Sequence, residues 1–208
     1  MSPADVEQQY RETWQRLRSA GRLVPPGPGR QWVSTQMLVK VTDGTLFRRL
    51  DRIRHALGAV GNLQMVSDHY LHLPILDLGN VAPTQRLARE AQHLLADVPP
   101  LVVEIAKVNA NEREAFGEIH PPDGLLSLNE RLRPLLGDRP TPEYLPRFTL
   151  GRLSGPVDAA ALALAIEWFR DRPIGAVRVE RIGLARVRRR PFHWIQVLRE
   201  LPLGREPG

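Results

Sequence analysis

A weak internal repeat, at an offset close to 75 residues, restricts the fold more than any other feature of the sequence. In each copy a strand-like segment is followed by a turn, a helical segment and a further strand-like segment. The copies open at "YLHLPILDLG" (70–79) and "LPRFTLGRLSG" (145–155). Matched positions are His72 with Arg147, Pro74 with Thr149, Leu78 with Leu153, Leu87 with Leu162, Ala88 with Ala163, Leu94 with Phe169 and Val102 with Val177. The repeat predicts a bilobal, pseudo-two-fold α+β domain, with two antiparallel sheets flanking a cleft and helices outside.

Hydrophobic periodicity predicts the individual elements. The predicted helices span residues 3–20, 43–57, 84–97, 123–136 and 156–171. The predicted strands span residues 32–41, 62–66, 70–78, 101–108, 114–120, 145–153, 176–187 and 192–201. Asp43 and Thr84 are placed to cap the second and third helices, and Pro156 suits the first turn of the last one.

The first 30 residues are predicted to be an appendage to the main domain. Val6, Tyr10, Trp14 and Leu17 form one stripe of a polar, amphipathic helix. The prolines and glycines of residues 24–30 cannot continue that helix. We therefore divide the chain into an N-terminal helix with its linker, 1–30, and a domain of residues 31–208. The helix, whose charge is mixed, is expected to pack on the domain or on a second subunit rather than on a membrane.

Composition narrows the class of protein. The chain contains no cysteine, which excludes disulfides, thiolate metal sites and cysteine catalysis. No apolar run approaches the roughly 18 residues of a membrane span, and the N-terminus lacks the apolar core of a signal peptide, so we predict a cytoplasmic protein. The net charge of +6 favours an anionic partner such as a nucleotide or RNA. The alternative is a genomic or thermal bias, since only Lys40 and Lys107 among the basic residues are lysines.

The two repeated strands carry a resemblance to a known family. "HLPILDLGNV" and "PRFTLGRL", together with the closing strands, resemble the two-histidine (2H) phosphoesterase superfamily over most of residues 32–203. This superfamily contains the bacterial 2'-5' RNA ligases and the RNA 2',3'-cyclic phosphodiesterases. Each lobe of its members carries a His-x-Thr or His-x-Ser motif. The histidines act as acid and base near neutral pH, and the hydroxyls hold the phosphate. The resemblance implies an RNA or nucleotide phosphodiester as partner, and neither a metal nor another cofactor.

This sequence departs from the family pattern in both motifs. His72 matches the first histidine, but Pro74 replaces its hydroxyl partner and has neither a hydroxyl nor a backbone N–H. Arg147 replaces the second histidine, and arginine stays protonated near neutral pH. The resemblance thus assigns His72 as the surviving acid or base, Thr149 as the surviving hydroxyl, and Arg147 with Arg152 as phosphate contacts.

Two functions follow from these departures. Losing one general acid or base costs about 10²–10⁴ in rate, so the first is phosphodiester binding with weak or altered hydrolysis. The alternative is a catalytically inactive module of the same fold that binds RNA or a nucleotide. A third class is an interaction protein that assembles through its N-terminal helix. The sequence leaves the oligomeric state open.

Each residue assignment has a structural alternative. Arg147 could pair with a nearby acid such as Glu143, Thr149 could be an ordinary strand residue, and Arg152 a solvated strand end. The cluster of Arg186, Arg188, Arg189 and Arg190 with Phe192 and Trp194 resembles a nucleic-acid patch, or alternatively a basic hairpin turn. His69 is expected on the opposite strand face from His72, and His193 could reach the cleft. The remaining histidines have no ligand-like spacing, so no metal site is predicted.

Overall fold

Five α-helices and eleven strands form the protein in a computed structural model that describes residues 1–26, 33–140, 143–170, 172–188 and 194–204. The helices are α1 (Pro3–Ser19), α2 (Gly44–Gly58), α3 (Gln85–Leu95), α4 (Asp123–Leu132) and α5 (Ala159–Arg170). The strands are β1 (Arg22–Leu23), β2 (Val33–Lys40), β3 (Leu63–Met65), β4 (His72–Asp77), β5 (Leu101–Ala110), β6 (Glu114–His120), β7 (Arg147–Leu153), β8 (Val157–Asp158), β9 (Gly175–Val179), β10 (Arg181–Arg188) and β11 (Trp194–Pro202).

Two antiparallel sheets carry the two repeated strands. The first sheet has the order β11-β10-β2-β4, and the second has the order β3-β7-β6-β5-β9. The short strands β1 and β8 form a separate antiparallel pair. The repeated strands β4 and β7 therefore belong to different sheets, and they contact each other. This is the bilobal α+β arrangement that the repeat predicts.

The helix signals in the sequence are confirmed at α2 and α3. Asp43 accepts hydrogen bonds from the backbone N–H groups of Thr45 and Leu46, at 2.7 and 3.3 Å. Thr84 accepts one from Leu87 at 3.2 Å. The apolar stripe of α2 is buried as the periodicity requires, at Leu46, Leu50, Ile53 and Leu57. Side chains of α2, α3, α4 and α5 join both sheets in one hydrophobic core.

Three segments differ from the predicted elements. Pro156 does not open the last helix, because the next two residues pair with β1 and the helix begins at Ala159. The predicted helix 123–136 continues past Leu132 as a 3₁₀ turn, because Pro134 lacks the N–H that an α-helix needs. The predicted strand 176–187 is two strands divided at Glu180, of which β9 pairs in the second sheet and β10 in the first.

The N-terminal helix α1 packs against the domain. Ser2 and Asp5 form a capping box, with each side chain accepting from the backbone of the other residue. Val6, Tyr10 and Leu17 are buried. Beyond the helix, β1 pairs with β8 and holds the chain at the start of α5. No helix in the described ranges is long and apolar enough to cross a membrane.

Candidate functional site

The first motif lies at the start of β4, where His72 is 6% exposed. Its Nδ1 lies 2.9 Å from the backbone oxygen of Tyr70. A carbonyl oxygen can only accept, so in this geometry Nδ1 is the donor of the hydrogen bond. The backbone of the preceding turn thereby fixes the tautomer and orientation of the imidazole.

Pro74 offers its carbonyl where the family pattern has a hydroxyl side chain. The hydroxyl of Tyr144 donates a hydrogen bond of 2.8 Å to the Pro74 oxygen. Burial raises the pKa of Tyr144 well above its usual range, so the phenol stays protonated and keeps donating. Tyr144 lies three residues before Arg147. Its hydrogen bond to Pro74 therefore links the segment that precedes the second motif to the strand of the first motif.

The second motif converges on a residue that the sequence did not indicate. Glu114, at the start of β6, is 4% exposed. Its Oε1 lies 2.5 Å from Nε of Arg147, and its Oε2 accepts a 3.1 Å hydrogen bond from the hydroxyl of Thr149. A terminal nitrogen of Arg152 lies 3.9 Å from the same Oε2. The three predicted phosphate contacts of this half therefore surround one carboxylate.

A β-bulge brings the three side chains to one face. Regular alternation would place Arg152 opposite to Thr149, because three positions separate them. The pairing of β6 with β7 shifts between Ala115 and Phe116, so that Leu150 of β7 is left out of the register with β6. Because the bulge adds one residue to the strand, the side chains beyond it point to the face opposite to the one that regular alternation would give them. We call the resulting surface of the second sheet the motif face.

Further charged groups on the motif face belong to a separate network. Glu118 lies opposite Arg147 in the ladder. Its Oε1 accepts from Asn109 at 2.7 Å and from Arg170 at 3.3 Å. The Arg147 and Arg152 side chains are 35% and 30% exposed, so each is partly accessible to solvent. Arg147 and Arg152 thus both face the carboxylate of Glu114.

Arg147 forms an ion pair with an acid, as its structural alternative has it, but the acid is not Glu143. Glu143, the acid nearest in sequence, is exposed and accepts from Nε2 of Gln9 at 2.9 Å. The partner is instead Glu114, on the adjacent strand. In the sequence, Glu114 is an acidic residue at the start of a largely apolar strand. This pattern does not indicate which basic residue forms the ion pair with it.

Other sequence assignments are placed as follows. His69 is exposed in the 3₁₀ turn Asp68–Tyr70, so it does not lie on the strand face expected for it. His193 lies outside the described residues, as do Arg189, Arg190 and Phe192. Arg186 is half-buried and donates to Thr35 Oγ1 at 3.1 Å and to the Val81 oxygen at 3.2 Å, so it ties the first sheet to the loop after β4.

The described residues show neither a metal cluster nor, at the motifs, the depression that lies on the first sheet. Within the described ranges, no group of three or more His, Asp or Glu side chains could hold a metal ion. A shallow depression of about 240 Å³ lies on the first sheet. Its charges largely pair with one another, Arg181 with Glu200 at 3.2 Å and Arg178 with Glu180 at 2.6 Å. It is lined by none of the predicted site residues.

Comparison with solved structures identifies the fold. TT0787 of Thermus thermophilus superimposes with a TM-score of 0.62 at 21% identity, covering 84% of this chain and 100% of that one. E. coli LigT in its apo form gives 0.60 at 20% identity, covering 82% and 98%. LigT complexed with 3'-AMP gives 0.57 at 19% identity, covering 84% and 99%. No protein-family model matches the chain, and the search of curated proteins gave no match. The resemblance predicted from the motif strands is thus confirmed at the level of the fold.

Proposed function

We propose that this protein binds a nucleotide or RNA phosphodiester of the 2',3'-cyclic or 2'-5'-linked class, and that it hydrolyses this ligand weakly. The observation that carries the proposal is the contact between β4 and β7, which brings the strand of His72 against the strand of Arg147 and Thr149. The fold supports it, because solved structures of LigT with this fold are complexes with 3'-AMP, ATP and NADP+.

His72 is the group that moves a proton in this proposal. With Nδ1 held by the Tyr70 carbonyl, Nε2 of the neutral ring is the nitrogen that would accept a proton from the attacking water. The exposed part of the Arg147 guanidinium would hold a phosphate oxygen. Arg147 stays charged, so it does not protonate the leaving oxygen. The leaving group then takes its proton from solvent, which makes hydrolysis slow.

A second candidate function is binding without hydrolysis, and the hydroxyl of Thr149 favours it. A hydroxyl has a single proton to donate, and Thr149 donates it to Glu114 at 3.1 Å. In this geometry the same proton does not stabilise charge that develops on a phosphate. The site then retains cations for holding an anion and lacks the donor that the reaction needs.

Hydrolysis of a 2',3'-cyclic nucleotide and of a 2'-5'-linked dinucleotide, in the presence of EDTA, tests both functions. Wild type would be compared with His72→Ala and with the double variant Pro74→Thr/Arg147→His. His69→Ala is the matched control, because His69 is an exposed histidine on the turn before β4. We expect slow turnover that His72→Ala abolishes, that His69→Ala leaves unchanged and that the double variant raises by about 10²-fold.

Calorimetric binding of 3'-AMP at two salt concentrations separates the outcomes. An inert wild type that binds 3'-AMP, more weakly at high salt, supports the binding-only function. Turnover that survives in His72→Ala contradicts the role given to His72. A wild type that neither hydrolyses these substrates nor binds 3'-AMP contradicts the proposed function in both forms.

A further inference from the structure

The N-terminal helix packs on the motif face itself. Phe116 lies directly opposite Thr149 in the ladder between β6 and β7, so the two side chains share a face. Val6 and Tyr10 of α1 pack with Phe116 in one buried cluster. Thr149, which has the second motif's only side-chain hydroxyl, is 7% exposed. Helix α1 therefore helps to cover the second motif, on the face where the family pattern places the substrate.

Tyr10 fastens the helix next to the motif. Its hydroxyl accepts a hydrogen bond of 3.2 Å from the backbone N–H of Ile119 and donates one to the backbone oxygen of Pro146. The last pair of this ladder is Glu118 with Arg147. Ile119, the residue after Glu118, and Pro146, the residue before Arg147, occupy the next pair of positions in the same register. The phenol thus bridges the two strands where their own pairing ends, one residue before Arg147.

Several further attachments of α1 near the motif face are polar. Glu7 forms an ion pair with Nδ1 of His120 at 2.5 Å. The side chain of Asn109 donates to the backbone oxygen of Tyr10 at 2.9 Å, and Arg170 stacks on the ring of Trp14 at 4.2 Å. Water replaces such contacts more readily than it replaces buried apolar contacts.

The N-terminal cap of α1 is formed within the helix itself. Its capping box lies within Ser2 and Asp5, and contacts with the domain do not contribute to it. Only three of its 17 residues are buried. A helix of this kind can separate from the sheet as a unit, because its internal hydrogen bonds do not depend on the contact.

We propose that α1 is an intramolecular cover, whose release from β6 and β7 opens the second motif to its ligand. The identity of that ligand, a nucleotide phosphodiester, rests on the proposed function. The opening itself does not, because it changes the exposure of Thr149 whether or not a ligand exists. When α1 is seated, the parts of this half that a ligand can reach include the exposed portions of the Arg147 and Arg152 side chains.

Thiol accessibility measures the opening directly, because the chain contains no cysteine. Thr149→Cys would place one thiol under α1 in the full-length protein. Tyr10→Phe, added to it, removes both hydroxyl hydrogen bonds and keeps the ring. Glu12→Gln is the matched control on α1, since Glu12 pairs with Gln8 and Arg16 of its own helix. Ala91→Cys, on the fully buried face of α3, reports unfolding of the whole domain.

We expect Tyr10→Phe to raise the alkylation rate of the thiol at position 149 at least about tenfold, the loss of about 1.4 kcal/mol that two hydrogen bonds represent. Glu12→Gln should leave that rate unchanged, and the thiol at position 91 should be unaffected by Tyr10→Phe. Equal rates in the Tyr10→Phe and Glu12→Gln proteins overturn the proposal. A parallel increase at positions 149 and 91 overturns it too, because the domain would then open as a whole.

Adding 3'-AMP to the Tyr10→Phe protein tests the ligand separately. Protection of the thiol at position 149 supports both the cover and the proposed function. Faster alkylation without protection leaves the cover supported and contradicts nucleotide binding at this half-site.

Discussion

Replacing Glu114 by glutamine is expected to weaken the fold and to strengthen phosphate binding at the same time. The carboxylate is 4% exposed, pairs with Arg147 at 2.5 Å and accepts from Thr149 at 3.1 Å. Glutamine has the same size but no charge, and its amide nitrogen turns one acceptor into a donor. That donor would face groups that also donate, and the Arg147 guanidinium would lose the charge of its partner.

The structure sets the size of the stability loss. Removing one partner of a fully buried ion pair costs about 3–5 kcal/mol, whereas an exposed pair contributes about 0–1 kcal/mol. The Arg147 and Arg152 side chains are 35% and 30% exposed, which places this cluster between the two limits. We expect Glu114→Gln to lower the free energy of unfolding by about 2 kcal/mol. At about 2–4 °C per kcal/mol for a chain of this size, Tm should fall by about 4–8 °C.

The affinity for phosphate should change in the opposite direction. An anion near Arg147 no longer meets a neighbouring negative charge, and like charges about 4 Å apart near a protein surface repel by about 4 kcal/mol. Solvent at the exposed guanidinium groups screens most of this energy. We expect 3'-AMP to bind about tenfold more tightly to Glu114→Gln, which corresponds to about 1.4 kcal/mol.

Urea unfolding and calorimetric titration with 3'-AMP measure the two effects in the same samples. Glu143→Gln is the matched control, because Glu143 is an exposed acid near the same motif that pairs with Gln9 instead. Its effect on stability should stay within about 0.5 kcal/mol. Unchanged stability in Glu114→Gln would refute the claim that this carboxylate compensates the arginines. Weaker binding of 3'-AMP would show that Glu114 orients Arg147 for the ligand and does not compete with it.

Two further predictions concern the surroundings of the site. The hydrogen bond to Glu118, followed by the charge of Glu7, raises the pKa of His120 above its ordinary 6.5, against burial and Lys107. The charged histidine therefore stabilises the fold fully below about pH 6.5, and this contribution is lost as pH rises through the raised pKa; urea unfolding against pH should show the decline, and His120→Gln should remove it. In Gly117→Ala the new Cβ would lie 2.4 Å from Cγ2 of Ile105, so chemical denaturation should show a loss of about 1–3 kcal/mol.

The sequence predicts those parts of this fold that depend on neighbours along the chain. Asp43 and Thr84 cap helices because a side-chain oxygen followed by an apolar stripe is a local pattern, and both are confirmed. The offset of the repeat predicts that β4 and β7 are counterparts, since each opens the same succession of elements. Pro156 satisfied the same kind of local rule, yet the pairing of β8 with β1 displaced the helix start.

The chemistry of the second motif depends on strand register, which the sequence does not display. Glu114 meets Thr149 because β6 lies beside β7, and Arg152 joins them because Leu150 bulges out of the pairing with β6. A reader of the sequence knows the period of a strand but not where a bulge interrupts it. The roles given to His72, Arg147, Thr149 and Arg152 toward a phosphate remain predictions that the experiments above test.

Both departures from the two-histidine pattern have a structural counterpart elsewhere in the chain. An arginine substituted for a histidine without compensation would leave a partly buried cation unpaired, at a cost of several kcal/mol. Here Glu114 supplies the opposite charge at 2.5 Å. The carbonyl of Pro74 accepts from Tyr144, and that of Pro146, beside Arg147, accepts from Tyr10. Both altered positions therefore have a partner elsewhere in the chain, Glu114 for the charge of Arg147 and Tyr144 for the carbonyl of Pro74, so the altered motifs are accommodated by the packing of the fold.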